Sequence, residues 1–314
     1  MAEQSGIYIM GVGAANADLH GRSRKAVNLR DSNPGHMHVS VGGVTRNILE
    51  NAARLGLDTK LISAVGDDAL GELILSRSRS AGMDVSHVLQ LSGRASSTYI
   101  TILEPSGEMF VALSDMTILE TLSREYLEQR RDLLAGAAAI VCDPSLPEET
   151  IEFLLTLTAD VPVCVDPVST AYAAKIKPHI GRFHTVKPNR MELEVLSGIA
   201  PVDETAIYRG MEVLLNKGCK RVFVTMGDAG CRYLDAQGRF LSKSLRPIAD
   251  MANATGAGDA FTAAAVYGLV KGLDPEETLS LALAAGSVAI RSAETVSPKM
   301  SVAALRETLA QDGL

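Results

Sequence analysis

The pattern of apolar and polar positions divides the chain into two kinds of segment. From about residue 123 onward, short apolar runs alternate with segments in which apolar residues recur at helical spacing. The apolar runs lie at 138–141, 163–165, 185–186 and 222–225. Such alternation is typical of βα repeats, in which helices connect the strands of a parallel sheet. A further apolar run at 7–13 predicts a buried first strand.

A second, smaller sheet is predicted by alternation outside these repeats. Between residues 97 and 113, apolar and polar residues alternate in two segments that flank Pro105-Ser106-Gly107, and this pattern predicts a hairpin. Residues 37–41 also alternate, after a polar stretch at 20–36 that ends in a dense turn signal. Together with the segment near Asp18, these strands can form a small sheet separate from the main one, such as a lid.

Helical spacing predicts most of the remaining elements. Beside a strand at 60–65, we expect helices at 44–55, 69–81 and 257–271, one from Asp274 to about 291, and one at 302–311. Two of these helices follow glycines, at Gly42-Gly43 and at Gly256, so little side-chain volume covers their first turns.

Composition is that of an ordinary globular protein and excludes some partners. The chain has 314 residues, of which 46% are hydrophobic and 21% charged, so it can bury a sizeable core. Its formal charge of −7 is spread among interspersed acidic and basic residues, without the basic stripe that nucleic acids require. We therefore expect no nucleic acid polymer as a partner.

The cysteines and the apolar runs indicate a cytoplasmic protein. The four cysteines, Cys142, Cys164, Cys219 and Cys231, show no C-x-x-C spacing, and two of them lie in apolar runs that read as buried strands. No basic-then-apolar pattern marks the N-terminus, and the apolar runs are too short to span a bilayer. We expect no membrane partner.

The stretch from Asn253 to Asp259 carries the strongest chemical signal. A helix start offers unpaired backbone N–H groups and a partial positive charge, and Gly256, Ala257 and Gly258 would let an anion approach them. Asp259 beside a phosphate would be repelled unless it takes up a proton or holds a cation, as a base that activates a hydroxyl does. The alternative is that Asp259 only complements the helix dipole.

A second candidate is Lys187-Pro188-Asn189-Arg190-Met191-Glu192, which follows a predicted strand. An asparagine N-cap with a glutamate three residues later is a capping box. Asn189 and Glu192 can also organise a hydrated Mg²⁺ beside nucleotide phosphates, because Mg²⁺ keeps most of its water. The two interpretations are compatible. Lys187 and Asp166 each follow a predicted parallel strand, at the edge where α/β folds bind ligands.

A third candidate is the glycine-rich segment from Thr225 to Gly230, which lies between two predicted strands. It can be a tight turn and nothing more. Alternatively, Thr225 and the bare backbone at Gly227 can approach phosphate oxygens at a strand end.

Four motifs in this order resemble those of the ribokinase-like (PfkB-type) family of carbohydrate and nucleoside kinases. They are Gly42-Gly43 with Asn47, Asn189 with Glu192, Thr225 with Gly227, and Thr255-Gly256-Ala257-Gly258-Asp259. The resemblance covers essentially the whole chain. It implies an α/β fold, with a central, mainly parallel sheet flanked by helices. It also implies one kinase domain over 1–314, with a β lid from about 14–41 and 96–115, which uses ATP and Mg²⁺.

The resemblance also implies roles for individual residues. Asp259 matches the base that takes the proton of a primary sugar hydroxyl as its oxygen attacks the γ-phosphate. The matching anion hole is formed by the amides of Gly256, Ala257 and Gly258. The sugar-binding positions match Asn16, Asp18, Gly42, Gly43 and Asn47. The ATP-binding positions match Lys187, Asn189, Thr225, Gly227, Gly230, Thr255 and Ser287, with Glu192 and Asn189 near Mg²⁺.

Several segments resemble the subgroup of this family that phosphorylates the ribose 5′-hydroxyl of pseudouridine. They are residues 31–35, 96–99, 106–109, 114–116, 165–169 and 187–190. Asn253 also fits this subgroup. Since the family commonly has an aspartate there that helps bind a monovalent cation, Asn253 weakens the case for K⁺ activation. Ser32, Asn33 and Thr98 are candidates to read the uracil ring.

Other interpretations remain open at this stage. The chain can be a ribokinase or another nucleoside kinase of the same family, or a catalytically silent nucleotide-binding regulator. Gly11-x-Gly13 suggests an NAD-dependent enzyme, but the third glycine of that fingerprint would fall on Asn16. Exposed strand edges on the lid would also favour a homodimer through lid pairing.

Overall fold

A computed structural model of the chain describes residues 6–245 and 255–312. The described residues form two main sheets and a set of helices packed on the larger sheet. The strands are β1 (Tyr8–Val12), β2 (Asn16–Ser23), β3 (Gly35–Gly42), β4 (Asp58–Ile62), β5 (Ala64–Gly66), β6 (Leu89–Leu91), β7 (Thr98–Leu103), β8 (Met109–Asp115), β9 (Ala139–Cys142), β10 (Val163–Val165), β11 (Thr185–Val186), β12 (Arg221–Thr225), β13 (Cys231–Asp235) and β14 (Phe240–Lys243).

The helices follow the predicted spacing closely. They are α1 (Val44–Arg54), α2 (Ala69–Ser80), α3 (Arg124–Glu128), α4 (Arg131–Ala135), α5 (Glu148–Leu157), α6 (Thr170–Ile176), α7 (Arg190–Ser197), α8 (Glu204–Lys217), α9 (Ala257–Lys271), α10 (Pro275–Ile290) and α11 (Val302–Asp312). Short 3₁₀ turns lie at 117–121, 177–182 and 227–229. None of the helices in the described ranges combines the length and the apolar character that a bilayer crossing requires.

The larger sheet has eight strands in the order β14-β13-β12-β11-β10-β9-β1-β4. All neighbours from β4 to β12 pair in parallel, whereas β13 and β14 form an antiparallel edge. The predicted α/β fold with a central, mainly parallel sheet is therefore confirmed. The carboxyl ends of β9, β10 and β11 lie side by side, which brings Asp143, Asp166 and Lys187 to one edge of the sheet.

Helices cover both faces of this sheet. Successive side chains of β1 point to opposite faces, so Met10 and Val12 belong to one apolar core and Ile9 belongs to the other. This explains why the first strand is a continuous apolar run. A side chain at Gly11 would come within 2.5 Å of Leu49, so the glycine is required for close packing of α1 on β1. The Gly11-x-Gly13 pair thus has a packing explanation.

The smaller sheet has four strands in the order β3-β2-β7-β8. The predicted hairpin is formed by β7 and β8, and β3 covers the predicted strand at 37–41. The first residues of the polar segment at 20–36 belong to a strand, because β2 continues to Ser23. The predicted strand at 60–65 is also divided, into β4 in the large sheet and β5, which pairs with β6.

Candidate active site

The N-terminus of α9 begins at Gly256, as the glycine motif predicts. Gly256 has a φ of 84°, and a side chain there would clash with the carbonyl oxygen of Thr295. The glycine therefore lets the chain turn sharply into the helix while it packs against the segment around Thr295. The amides of the first helical turn have no intrahelical acceptor and carry the positive end of the helix dipole. This geometry suits an anion.

Asp259 lies in the first turn of α9 and is buried. The amide Nδ2 of Asn47, on α1, donates a hydrogen bond of 2.9 Å to Asp259 Oδ2. Burial and the charge of the nearby Asp166 raise the pKa of Asp259, the hydrogen bond from Asn47 and the charge of Lys187 lower it, and the net result is a pKa of about 7. A carboxyl group with a pKa near neutrality can both accept and release a proton at physiological pH.

Lys187 supplies a positive charge beside the same helix start. Its ammonium forms a buried ion pair of 2.8 Å with Asp166, and a side-chain carbon on Gly258 would lie 3.0 Å from the ammonium nitrogen. Burial disfavours the charge of Lys187, but Asp166, Glu192 and Asp259 outweigh this effect, so its pKa is raised. Lys187 is therefore a permanent cation next to the first amides of α9.

Asn16 and Asp18 lie on β2, at the end of the small sheet nearest to α1. Asn16 Nδ2 donates a hydrogen bond to Asp18 Oδ1, and both residues are buried. Burial raises the pKa of Asp18 to about 6, although the bond from Asn16 and the charge of Arg46 lower it. Gly42 pairs with Asn16 across the sheet, and a side chain at Gly42 would clash with the Asp18 carboxylate.

Gly43 completes this group as the N-cap of α1. Its φ is 99°, and a side chain there would clash with the backbone at Ala14 and Ala15. Asp143 stabilises the same corner, because its Oδ2 accepts hydrogen bonds of 2.7 Å from the Ala14 amide and from the Thr45 hydroxyl.

The three residues proposed to read a base do not join this group. The Asn33 amide donates to the carbonyls of Asn28 and Asp31, and Ser32 is exposed in the same loop. Thr98 pairs with Ala17, whereas the next residue, Tyr99, pairs with Asp18. Because strand side chains alternate between faces, Thr98 points away from the Asp18 face of the sheet and Tyr99 points toward it.

On the other side of Asp259, the capping box is present as predicted. The Asn189 side chain accepts from the Glu192 amide at 2.9 Å, and Glu192 Oε2 accepts from the Asn189 amide at 2.8 Å. Asn189 also bridges to Thr225 of the neighbouring strand. Burial raises the pKa of Glu192, and the charge of Asp166 adds to this effect. Glu192 is thus near the Lys187 ion pair.

The remaining predicted nucleotide-binding residues have different surroundings. Gly227 and Gly230 both have positive φ, in the 3₁₀ turn after β12. The buried hydroxyl of Ser287 has no hydrogen-bond partner among the described residues, on a part of α10 that packs near Ala257. A buried hydroxyl without a partner is costly, so it is a candidate contact for a ligand. Thr255 is exposed just before Gly256, whereas Asn253 lies outside the described residues.

The donor set suits Mg²⁺ only as an ion held mainly by other ligands. The described ranges contain no cluster of three or more His, Cys, Asp or Glu side chains that could hold a metal. Glu192 contributes one buried carboxylate, with its own amide partner. Mg²⁺ commonly uses one or two carboxylates, substrate phosphates and several waters. The residues present therefore fit a hydrated ion that arrives with a nucleotide.

Sequence reasoning missed two parts of this site. The ion pair between Lys187 and Asp166 was not predicted, because the two residues follow different strands and the sequence does not show that their side chains meet. Arg46 was overlooked, because at helical spacing it belongs to a charged stripe with Glu50 and Arg54. The charge of Arg46 lowers the pKa of Asp18, and its guanidinium donates a hydrogen bond to Asn47, so Arg46 interacts with both groups.

Comparison with known proteins agrees with this arrangement. Residues 7–301 match the pfkB family of carbohydrate kinases. A pseudouridine kinase from Escherichia coli strain K12 is 37% identical over 297 residues, which cover 94% of each chain. A solved putative sugar kinase from Clostridium perfringens has a TM-score of 0.85 at 31% identity, covering 99% of this chain and 96% of that one. A putative ribokinase II from E. coli, solved with ATP and Mg²⁺, has a TM-score of 0.84 at 18% identity, covering 98% of this chain and 100% of that one.

The chain belongs to the pfkB family of carbohydrate kinases, and its fold is that of the ribokinases. The family resemblance recognised in the four motifs is confirmed. The protein is a phosphotransferase with an alcohol group as acceptor, within a family of sugar and nucleoside kinases.

Proposed function

We propose that this chain transfers the γ-phosphate of ATP to the ribose 5′-hydroxyl of pseudouridine, which gives pseudouridine 5′-phosphate and ADP. The observation that carries the proposal is the buried Asp259, hydrogen-bonded to Asn47 at the start of α9. The choice of acceptor is supported by the 37% identity to a pseudouridine kinase over 94% of the chain.

In this proposal Asp259 is the base. The proton of the 5′-hydroxyl passes to the Asp259 carboxylate while the 5′-oxygen forms a bond to the γ-phosphorus. The bond between that phosphorus and the bridging oxygen of ATP breaks, and ADP leaves with the electron pair. The amides of Gly256, Ala257 and Gly258, with Lys187 beside them, stabilise the charge on the transferring group.

The acceptor's ribose is held on the side of Asn16 and Asp18. A carboxylate and an amide that are already hydrogen-bonded to each other can bind vicinal hydroxyls without reorganising. Gly42 leaves room for the Asp18 carboxylate, Gly43 leaves room for the backbone at Ala14 and Ala15, and Asn47 joins the sugar group to Asp259.

The nucleotide is held on the opposite side, between α7, the 3₁₀ turn after β12 and α10. The residues that border the phosphates are Thr225, Gly227, Gly230, Lys187, Asn189 and Thr255. The hydroxyl of Ser287 contacts the adenosine. Asn189 and Glu192 would hold Mg²⁺ through water, and the ion would neutralise part of the phosphate charge. K⁺ activation stays a secondary expectation, because it depends on Asn253.

We also propose that the four-stranded sheet of β2, β3, β7 and β8 is the lid of a single kinase domain over residues 1–314, which closes over the acceptor. A cytoplasmic location is proposed as well, because all four cysteines are free and buried, as in a reducing compartment.

The test is a coupled ADP-release assay with Mg-ATP and a panel of acceptors. The panel is pseudouridine, uridine, adenosine, ribose and no acceptor. We expect pseudouridine to give the highest kcat/KM by a wide margin. Preference for ribose or adenosine would reject the acceptor and leave the phosphotransferase. If no acceptor were turned over, a nucleotide-binding regulator would be favoured.

A further inference from the structure

Arg46 is a buried cation in the first turn of α1, where its charge is locally unfavourable. Its side chain is 3% exposed, and a positive charge at a helix N-terminus opposes the helix dipole. Burial lowers its pKa, and the charge of Arg54 lowers it further, although the ion pair with Glu50 and the nearby Asp18 oppose both effects. A residue kept in such a position is expected to have a specific task.

The guanidinium of Arg46 contacts three residues, two on α1 and one on α2. Nη2 forms the ion pair with Glu50, one turn further along α1. Nε points to the hydroxyl of Ser78 on α2 at 3.4 Å. Nη1 donates to Oδ1 of Asn47 at 3.3 Å. The guanidinium is therefore held from two sides while its third side contacts the amide of Asn47.

This third contact determines which way the Asn47 amide faces. Arginine has five donors and no acceptor, so it can face only the oxygen of a side-chain amide. The NH₂ group of Asn47 then faces Asp259 and donates to its carboxylate at 2.9 Å. The opposite orientation would place the Asn47 oxygen against Asp259, and that contact is favourable only when Asp259 carries a proton.

We infer that Arg46 is a positioning residue for phosphotransfer, which fixes the amide of Asn47 so that it donates a hydrogen bond to the carboxylate form of Asp259. The inference rests on the proposed function of Asp259 as the base. Loss of Arg46 frees the Asn47 amide to rotate. Asp259 then keeps its proton up to a higher pH, so the pH range over which it can act as a base becomes narrower.

The other charged groups near Asp259 do not replace this effect. Asp166 and Asp143, from the ends of β10 and β9, favour its protonated form, while Lys187, from the end of β11, favours the carboxylate. Lys187 is already paired with Asp166. Near Arg46 the charged groups are Glu50 and Arg54 on α1 and Asp18 on β2.

The test measures the pKa of Asp259 directly in the resting protein, by ¹³C NMR of labelled aspartate carboxyl carbons, with Asp259→Asn to assign the signal. In Arg46→Gln we expect this pKa to rise by about one to two units, as loss of a hydrogen bond to a charged group predicts. The acid limb of the kcat–pH profile should move upward equally, with kcat largely recovered at high pH.

Three further variants make the result specific. Arg54→Gln removes the other ion pair of Glu50 and should leave the Asp259 pKa unchanged. Arg46→Lys keeps the buried charge but replaces the planar guanidinium with an ammonium group, so it should shift this pKa in the same direction. This variant provides the test if Arg46→Gln does not fold. In an Asn47→Ala background, Arg46→Gln should cause no additional shift.

An unchanged Asp259 pKa in a folded Arg46 variant would overturn the inference, as would an equal shift with and without Asn47. Because the NMR titration needs no turnover, failure of the inference is distinct from failure of the proposed function. The latter would appear as absence of ADP release from the unaltered protein with every acceptor.

Discussion

At the scale of single residues, Asp259 has the surroundings expected of a base that is active near neutral pH. It is buried among Asp166, Asp143 and Lys187, and it accepts a hydrogen bond from Asn47. Burial and repulsion by the two aspartates raise its pKa, whereas Asn47 and Lys187 lower it, and the result is a pKa of about 7. The helix dipole alone does not require such surroundings, since an exposed aspartate complements a dipole equally well.

Replacing Asp259 with asparagine should therefore remove catalysis while leaving nucleotide binding in place. We expect kcat to fall by about 10²–10⁴-fold, the usual contribution of a general base, with little change in the affinity for Mg-ATP. Steady-state kinetics and equilibrium titration measure the two effects. Asp160→Asn, at an exposed turn, is the control and should behave like the unaltered protein. Turnover within tenfold of normal in Asp259→Asn would exclude this residue as the base.

The same substitution should stabilise the fold at alkaline pH. The folded protein raises the pKa of Asp259 from 3.8 to about 7, so ionisation of this carboxyl group opposes folding. Below pH 4 the carboxyl group is protonated in the folded and unfolded states, so it has no effect on stability. As pH rises from about 4 to about 7, the unfolded state ionises first and the folded state loses stability relative to it. At pH 8 Asp259→Asn should gain roughly 1–3 kcal/mol in the free energy of unfolding. Urea titrations at pH 4 and pH 8 test this, and a loss of stability at pH 8 would contradict it.

At the scale of elements, the N-terminus of α9 has two glycines that are required for different reasons. Gly256 has positive φ and no room for a side chain beside Thr295. Gly258 has helical backbone, and the nearest group to an added carbon is the flexible end of Lys187 at 3.0 Å. The fold requires Gly256, whereas the need for Gly258 comes from the proposed phosphate site.

The variants Gly256→Ala and Gly258→Ala should consequently separate stability from activity. Gly256→Ala should lose about 2 kcal/mol or more in the free energy of unfolding, because of both strain and a backbone clash. Gly258→Ala should keep its stability within about 1 kcal/mol, since alanine favours helix, but kcat should drop at least tenfold. Chemical denaturation and the ADP-release assay measure the two quantities. If Gly258→Ala kept full activity, phosphate binding at these amides would be rejected.

The comparison of sequence with structure shows which elements local signals can predict. The limits of α9 were predictable, because Gly256 and the pair Lys271-Gly272 mark its two ends. The full length of β2 was not, since its polar residues form a strand only by pairing with partners distant in sequence. Arg22, for example, pairs with His36 on one side and Leu103 on the other.

The same limit applies to the site. Sequence motifs pointed to Asp259 and Asn47 as chemically important, and the structure joins them by a hydrogen bond across 212 positions. Which of Thr98 and Tyr99 faces Asp18 depends on the register between β2 and β7, and no local pattern contains that information. The orientation set by Arg46 likewise depends on contacts with Ser78 on another helix.

At the scale of the whole molecule, one face of the small sheet is apolar and partly exposed. Cross-strand pairing aligns Val39, Leu19, Ile100 and Leu113 in one row across its four strands. Val39 and Leu113, at the two ends of the row, are exposed. An exposed apolar face of this kind favours association, and a second copy of this chain would bury it on both molecules.

We predict that the protein is a homodimer paired through this face. Leu113 is 67% exposed, and Leu113→Asp should convert the dimer to a monomer by placing a charge in the interface. Val202→Asp, at a site that is 77% exposed elsewhere on the molecule, is the matched control and should leave the dimer intact. Sedimentation velocity at micromolar concentration distinguishes the two species. A monomeric unaltered protein would refute lid pairing.

The most direct measurement of the central claim is the proton-coupled ³¹P NMR spectrum of the product formed from Mg-ATP and pseudouridine. We expect a new phosphomonoester signal, split into a triplet by the two 5′-methylene protons, and we expect no such signal when Asp259 is replaced by asparagine. A doublet, which indicates a secondary hydroxyl, or inorganic phosphate as the only product would contradict transfer to the 5′-oxygen by this site.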